Sequence, residues 1–494
     1  MNLFCNTNNN KRYYTLDYFY QQKFNSKVFK VSLNAGFSCP NLDGKAGYGG
    51  CIYCSKLGSG DFAGNANDDL VKQFNEIKEQ LHKKWPKAKY IGYFQAHTNT
   101  YAELNALKEK YEAILNLNNV VGLSIATRCD AISDECLDYL EDLSKRTYLT
   151  VELGLQTIHE KTSLLINRCH TLECFTDMVN KLHKRNINVV VHIINGLPYE
   201  TKKMMIETVK YLNKLPIQGI KIHMLHILKD TQLEFMYKNN PFEVLTKAEY
   251  VDIVCDQLEC LKPNIIINRI TGDPNAEELI EPKWLTKKFG VLNDIDKELV
   301  KRDTYQGFNL SILNKAKQLM SHNLNINDIA IDATIGNGND TLFISELTPK
   351  GQVIGLDIQT DAINKTKALL DLHQRNNYVL FNENHANIKE LLSNYIHKVS
   401  LIVFNLGYLP NGDKNITTKY QTTIMSIENS LELLNNKGII LITVYPGHKE
   451  GNLESNKIKN YLDTLANYQI NYYHNTDNEE APYLIEIKKL GIKL

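Results

Sequence analysis

The strongest constraint on the fold is an alternation that runs through the chain twice. Near-continuous apolar runs take turns with amphipathic stretches long enough for helices. A strand apolar at successive positions is buried on both faces, and a helix between two such strands implies a right-handed parallel crossover. The first series predicts strands at Phe29–Leu33, Lys89–Gln95, Val120–Thr127, Tyr148–Leu155, Val189–Asn195, Gly219–Leu228 and Asn264–Ile270. Six or seven such units predict a complete or partial α/β barrel, whose active site lies at the C-terminal strand ends. The second series, from about residue 309, predicts strands at Ala330–Ala333, Val353–Asp357, Tyr378–Asn382, Leu401–Asn405, Ile439–Tyr445, Ile470–His474 and Tyr483–Lys488. The last two are separated by a polar turn region, which predicts an antiparallel hairpin. Five βα units and a hairpin predict an open doubly wound sheet. The polar stretch Asn293–Gln306 reads as a linker, dividing the chain into domains 1–305 and 306–494.

Composition excludes several function classes. The 494 residues carry 56 Lys and Arg against 56 Asp and Glu, which argues against a strongly basic nucleic-acid scaffold. A 43% hydrophobic content excludes global disorder. No apolar run approaches the ~18 residues of a membrane span, and the polar start Met1–Arg12 reads as no secretory signal. A cytoplasmic location without membrane association is expected. There, clustered cysteines more often bind metal or do chemistry than form disulfides. Of ten cysteines, Cys5, Cys129, Cys136, Cys169, Cys174, Cys255 and Cys260 are scattered and read mostly as buried small apolar residues.

The other three lie in Cys39-Pro-Asn-Leu-Asp-Gly-Lys-Ala-Gly-Tyr-Gly-Gly-Cys51-Ile-Tyr-Cys54, a Gly-rich loop after the first strand. Three thiolates suit a four-iron cluster with one iron left open for a ligand. Structural zinc, with His97 recruited as a fourth ligand, and an unligated surface loop stand as alternatives.

With these cysteines, the chain resembles the radical S-adenosylmethionine enzymes. It has eleven residues between Cys39 and Cys51 where the usual spacing is three. The longer spacing is that of the YtqA or MnmL type, a subfamily related to the Elongator-type radical proteins. The resemblance spans about residues 10–305. It includes Tyr93-Phe94-Gln95-Ala96-His97-Thr98-Asn99-Thr100-Tyr101, Ala126-Thr127-Arg128, Val151-Glu152-Leu153-Gly154-Leu155-Gln156-Thr157, Gly196-Leu197-Pro198, Gly219 to His226, and Thr271-Gly272-Asp273. Cys129 stands where that family usually has Pro. The resemblance implies a [4Fe-4S] cluster on Cys39, Cys51 and Cys54. It also implies S-adenosylmethionine bound with the help of Gln95, Thr127, Arg128, Glu152, Gln156 and Asn195, and a 5′-deoxyadenosyl radical aimed at one C–H bond. Gln95 and His97 are expected after strand two, Thr127 and Arg128 at the end of strand three, and Glu152 and Gln156 about the end of strand four. Asn195 is expected to end strand five, with His223 and His226 within strand six.

In the second half, Asp332-Ala333-Thr334-Ile335-Gly336-Asn337-Gly338-Asn339-Asp340-Thr341 follows a strand and opens a helix, where glycines let a ligand approach the backbone. Asp357 at the end of the next strand suits a pair of ribose hydroxyls. Dinucleotide binding is a rival, although the Gly-x-Gly-x-x-Gly spacing is incomplete. Loop, acidic residue and terminal hairpin together resemble class I methyltransferases. The candidate cofactor residues are Asp332, Gly336, Asn337, Gly338, Asp340, Thr341, Asp357, Gln359 and His385. Asn405-Leu406-Gly407-Tyr408 resembles the motif of amino-group methyltransferases. Asn405 is the candidate to hold the amine N–H, and Tyr408 the candidate to stack on a base; a turn closing an ordinary strand is the structural alternative. Residues 309–494 are similar to the MnmM (YtqB) type, with departures at Asn411 and Lys449.

The two resemblances imply successive steps on a tRNA wobble uridine. The radical half participates in converting a 5-carboxymethylaminomethyl group to 5-aminomethyl, and the methyltransferase half gives 5-methylaminomethyl(-2-thio)uridine. The implied partners are a tRNA anticodon stem-loop and an electron donor of flavodoxin or ferredoxin type. Two alternatives stay open: a radical enzyme fused to an rRNA methylase, and a non-catalytic cluster protein that binds RNA or senses redox state.

Overall fold

A computed structural model describes residues 4, 6, 7, 9–55, 58, 63–272, 274–407, 418–475 and 478–490. The chain folds as two compact units, Met1–Gly307 and Phe308–Leu494.

The strands of the first unit are β1 (Val28–Leu33), β2 (Lys89–Phe94), β3 (Val120–Thr127), β4 (Tyr148–Gln156), β5 (Asn188–Asn195), β6 (Gly219–Met224), β7 (Ile227–Leu228), β8 (Ile266–Arg269) and β9 (Leu279–Glu281). Seven of them form one parallel sheet in the order β1-β2-β3-β4-β5-β6-β8, while β7 and β9 make a separate antiparallel ladder. β1 and β8 are the two edges and do not pair, so the barrel is partial. Side chains alternate between faces. Val189, Val191 and Ile193 join the helix-covered core. Lys30, Ser124, Glu152, His192 and Lys221, on five strands, meet one another in hydrogen bonds and ion pairs.

Two expectations need correction. The run Gly219–Leu228 is not one strand: β6 ends at Met224, and the chain turns so that Ile227–Leu228 pairs with β9. His223 lies in β6, and His226 does not. The polar stretch 293–306 is not a linker either. Most of it is the helix Lys288–Lys301, whose Val291, Ile295 and Leu299 are fully buried. Its end is clamped by Arg302, which reaches Asp256 at 2.7 Å and Glu259 at 3.1 Å. A polar outer face with an apolar stripe at helical spacing is what hid this helix.

The second unit holds β10 (Ile329–Asp332), β11 (Gln352–Leu356), β12 (Tyr378–Phe381), β13 (Val399–Asn405), β14 (Leu434–Val444), β15 (Tyr468–Tyr473) and β16 (Tyr483–Lys489). Their order is β12-β11-β10-β13-β14-β16-β15, and β16 runs antiparallel to both neighbours. The doubly wound sheet and terminal hairpin are therefore as expected. The chain steps from β10 to β11 and β12 on one side, then crosses to β13 on the other. Ligands of such sheets bind at that switch point, at the C-terminal strand ends. Among the described residues, no helix is long and apolar enough to cross a membrane.

Candidate functional site

In the first unit, Cys39, Cys51 and Cys54 carry free thiols on the loop after β1. The loop turns on itself through Leu42 N–H to Cys39 O at 2.8 Å and Cys54 N–H to Cys51 O at 3.0 Å. Two asparagines tie it to the segment that follows β4. Asn41, fully buried, donates from Nδ2 to Asn167 O at 2.6 Å and to Cys51 Sγ at 3.6 Å. Asn167 Nδ2 donates back to Tyr48 O and Gly50 O at 2.9 and 2.7 Å. The fully buried Arg168 holds that segment to the end of β4, donating to the carbonyls of Leu155 (2.7 Å), Thr157 (2.6 Å) and His170 (2.9 Å). Gly47 is obligatory at the contact: a Cβ there would lie 2.3 Å from Asn41 Oδ1 and 2.6 Å from Cys169 Sγ. Cys169 is exposed beside this loop rather than buried as a small apolar residue, whereas Cys129, Cys136 and Cys255 are buried as expected. Cys5 lies outside the described residues.

The thiols are electrostatically distinct. The hydrogen bond from Cys54 and the charge of Arg128 lower Cys51 to about 6, against the effect of burial. Arg128 is itself held by Asp130 in a two-pronged contact at 2.8 and 2.7 Å. A thiol near its thiolate form, with an amide N–H directed at the sulfur, suits ligation of iron in a cluster. Among the described residues, no three His, Cys, Asp or Glu side chains converge on one point, as a single-ion site requires. Three thiolates that each take a different iron make no such demand.

The sheet brings some predicted residues to the rim and not others. Gln95 follows β2, Thr127 ends β3 and shares a 2.6 Å hydrogen bond with Thr100, and Gln156 ends β4 with φ of 65°. Arg128 is next in line. Asn195 ends β5 but faces the other way: its amide pairs reciprocally with Gln257 of the helix Lys247–Cys260, both bonds 2.8 Å. Period-two alternation puts it on the helix-covered face with Ile193, so the structure does not bring it together with the rim residues. Glu152 is the fifth of nine residues in β4, not at its end. It is fully buried, with both oxygens engaged: Oε1 by Lys30 and Ser124 at 2.6 Å each, Oε2 by His192 at 2.7 Å and Lys221 at 2.6 Å. Burial opposes its ionisation, but the Lys221 and Lys30 ammoniums hold its carboxyl well below the usual range. Lys30, His192 and Lys221 are functional candidates that the motifs did not single out. The available signal was a Lys or His at an alternate position inside an otherwise apolar strand.

In the second unit, the switch point collects Asp332, Gly336, Gly338, Asp340, Thr341, Asp357, Gln359 and Asn405. Gly336 and Gly338 have φ of 55° and 78°, the left-handed region that favours glycine, and Gly338 caps the helix Asn339–Leu347. Asp357 accepts from Gly336 N–H and Gln359 N–H, both at 2.9 Å, so loop and carboxylate are already set against each other. Thr341 Oγ1 donates to the fully buried Asp332 at 2.6 Å. Asn405 is held at two points: its N–H donates to Thr334 Oγ1 at 2.6 Å and its Nδ2 to Asp340 at 2.5 Å. Its Oδ1 is buried and has no hydrogen-bond partner among the described residues. His385 sits in a short turn after β12, packed edge-on to Phe404, and its Nε2 is likewise buried without a partner. Asn337 lies in the loop between the two glycines. Tyr408 lies outside the described residues. The residues on either side of that segment are joined: Thr418 N–H donates to Gly407 O at 3.0 Å, and Thr418 Oγ1 donates to the buried Glu454 at 2.7 Å.

This geometry suits a small-molecule cofactor bearing a ribose, with Asn405 Oδ1, an acceptor without a partner among the described residues, left for a donor on the second substrate. Burial, with the nearby Asp340 charge, raises Asp332 to about 7. The folded state then binds more protons than the unfolded one between about pH 4 and pH 7. Stability of the second unit is expected to fall as pH rises through that window, by up to about 4 kcal/mol. Thermal unfolding of wild type and Asp332→Asn at several pH values checks this; the variant should lose that part of the pH dependence.

Comparison with known proteins matches three family descriptions: "Radical SAM superfamily" over residues 47–212, "Radical_SAM C-terminal domain" over 217–301, and "Putative rRNA methylase" over 353–488. The chain is 53% identical over 306 residues to "Uncharacterized protein YtqA" of Bacillus subtilis, covering 62% of this chain and 95% of that protein. It is 38% identical over 137 residues to the chloroplastic tRNA (mnm(5)s(2)U34)-methyltransferase of Arabidopsis thaliana, covering 26% of this chain and 50% of that one. A solved "putative rRNA-methylase" from Clostridium thermocellum is 32% identical, with 36% of this chain and 97% of that one covered and a TM-score of 0.34.

Proposed function

The chain belongs to the radical S-adenosylmethionine superfamily, in the family of YtqA, with a methylase-type domain fused behind it, and from that premise we propose that it modifies a tRNA wobble uridine in two successive steps. The radical half participates in converting 5-carboxymethylaminomethyl(-2-thio)uridine to the 5-aminomethyl form. The methyltransferase half methylates the freed amine to 5-methylaminomethyl(-2-thio)uridine. The observation that carries the reading is the buried Asn405 Oδ1 at the end of β13, which has no hydrogen-bond partner among the described residues. It is an acceptor waiting for an N–H, in a domain whose Arabidopsis relative is named for that same nucleoside.

Cys39, Cys51 and Cys54 would hold a [4Fe-4S] cluster, which with S-adenosylmethionine supplies one-electron chemistry able to remove hydrogen from a C–H bond. The chain's own contribution is to hold the cysteine loop rigid through Asn41, Asn167 and Arg168. In the second half, S-adenosylmethionine supplies the methyl group at the Gly336–Gly338 loop and Asp357. Asn405 Oδ1 accepts one N–H of the neutral amine and so aims its lone pair at the methyl carbon. Asp340, bonded to Nδ2, fixes which end of the amide faces the substrate. Tyr408 is assigned to stack on the base. The product of one half is the substrate of the other, and covalent linkage raises its effective concentration. The partners are the anticodon stem-loop, whose unstacked bases can be splayed into a site, and a flavodoxin- or ferredoxin-type donor, in the cytoplasm.

Nucleoside mass spectrometry of tRNA from a strain lacking the gene tests this. Loss of 5-methylaminomethyluridine with accumulation of the carboxymethylated precursor is expected. An unchanged tRNA profile with a methyl group missing from ribosomal RNA would favour the rRNA alternative.

A further inference from the structure

The interior of the half barrel holds more positive charge than it neutralises. Lys30 and Lys221 both pair with one carboxylate, Glu152. Arg269 stands beside Lys221 in register, at the C-terminal end of edge strand β8. Its charge reaches both Lys221 and His223. Its guanidinium makes no hydrogen bond or ion pair among the described residues. An ammonium has three donors. Lys221 gives one to Tyr93 OH at 2.8 Å and one to Glu152, which leaves the third. His223 lies two residues further along β6, and its ring is 5.3 Å from that of His192. Its Nε2 is buried and unpartnered among the described residues. Burial, with only partial relief from Glu152, depresses Lys221 to about 7, which is the response of an ammonium short of counter-charge.

A cation held in a buried place without a full set of anions is costly unless a ligand completes it, and Lys221 is the buried cation here, with the exposed Arg269 at its side. We propose that Lys221, His223 and Arg269 form a carboxylate subsite, which receives the acidic group of the radical half's substrate. Glu152 and Tyr93 position Lys221 within it. The inference rests on the reading that the radical half acts on a carboxymethyl substituent, and it adds the residues that recognise that substituent. A carboxylate takes two or more donors in one plane, which matches an ammonium, a guanidinium and an imidazole N–H. The methionine carboxylate of S-adenosylmethionine has the same chemistry, so the test separates the two sources.

Equilibrium binding is measured on the full chain after anaerobic cluster reconstitution. The probes are an anticodon stem-loop RNA carrying 5-carboxymethylaminomethyluridine, its methyl ester, and S-adenosylmethionine alone. Wild type is expected to favour the acid over the ester about tenfold, the size of one charge-assisted hydrogen bond. Lys221→Met and Arg269→Gln should each reduce that preference, the double variant should erase it, and affinity for S-adenosylmethionine should not change. Arg269→Gln, on an exposed edge, keeps the test decisive if Lys221→Met does not fold. Preference retained in the variants, or weakened S-adenosylmethionine binding instead, overturns the subsite while the wobble-uridine reading stands. No preference in wild type overturns both.

Discussion

Cys51→Ala in the full chain is expected to reduce 5′-deoxyadenosine formation to background while methyl transfer to 5-aminomethyluridine RNA continues. The Cys54 hydrogen bond and the Arg128 charge bring the Cys51 thiol toward its thiolate form. Alanine removes the ligand and leaves the Asn41 amide with only its Asn167 bond, so iron content and cluster absorbance should fall together. The second unit has hydrophobic clusters built from its own residues, so its fold is expected to survive the loss of one thiol in the first. Anaerobic reconstitution, iron analysis and chromatography of the nucleoside product check the first half, and transfer of labelled methyl checks the second. Cys169→Ser is the contrast: this exposed neighbour should keep the iron content of wild type. If Cys51→Ala retained radical cleavage, the three-cysteine assignment would be wrong.

Asn405→Ala should lower methyl transfer by about 10²–10³-fold, the usual effect of deleting one preorganised hydrogen-bonding group aimed at the reacting atoms. Cofactor affinity should hold, because the Gly336–Asp357 contact does not involve Asn405. Asp340→Ala is the more discriminating variant. Without its carboxylate, no described residue hydrogen-bonds the Asn405 amide, which is then free to present Nδ2 to the amine. The expected result is a loss in kcat at unchanged KM for S-adenosylmethionine. The double variant should be no worse than Asn405→Ala, because one residue acts through the other. A rise in KM for the cofactor, with additive losses, would place Asp340 in the cofactor site instead.

The legible part of the fold was the part written in apolar runs. β3 was predicted to its ends, and the doubly wound sheet followed from strand count and the polar turn before β16. Elements with mixed surfaces were harder. The helix Lys288–Lys301 shows a charged face to solvent, and its buried stripe of Val291, Ile295 and Leu299 is short enough to pass for chance. In the site, motif spacing identified the cysteine loop and the Gly336–Gly338 turn. It did not identify Asn41, Asn167 or Arg168. Their partners are backbone carbonyls and one sulfur, and such contacts carry no residue-type signature. Asn195 shows the opposite case: its position at a strand end was legible, and the face it occupies was not.

By itself the sequence determined what is local. Cys51 and Cys54 must share a turn, Gly336 and Gly338 must bend the chain before a helix, and apolar runs must be buried strands. Those properties follow from covalent spacing, backbone sterics and the transfer of apolar surface from water. Only the tertiary structure decided what meets across the sheet. Lys30 and Glu152 lie 122 residues apart, yet their charges touch at 2.6 Å. Register between parallel strands and the curl that puts one face inside set that contact. Neither is encoded in the neighbourhood of either residue, so the positively charged interior of the half barrel exists only in the folded chain.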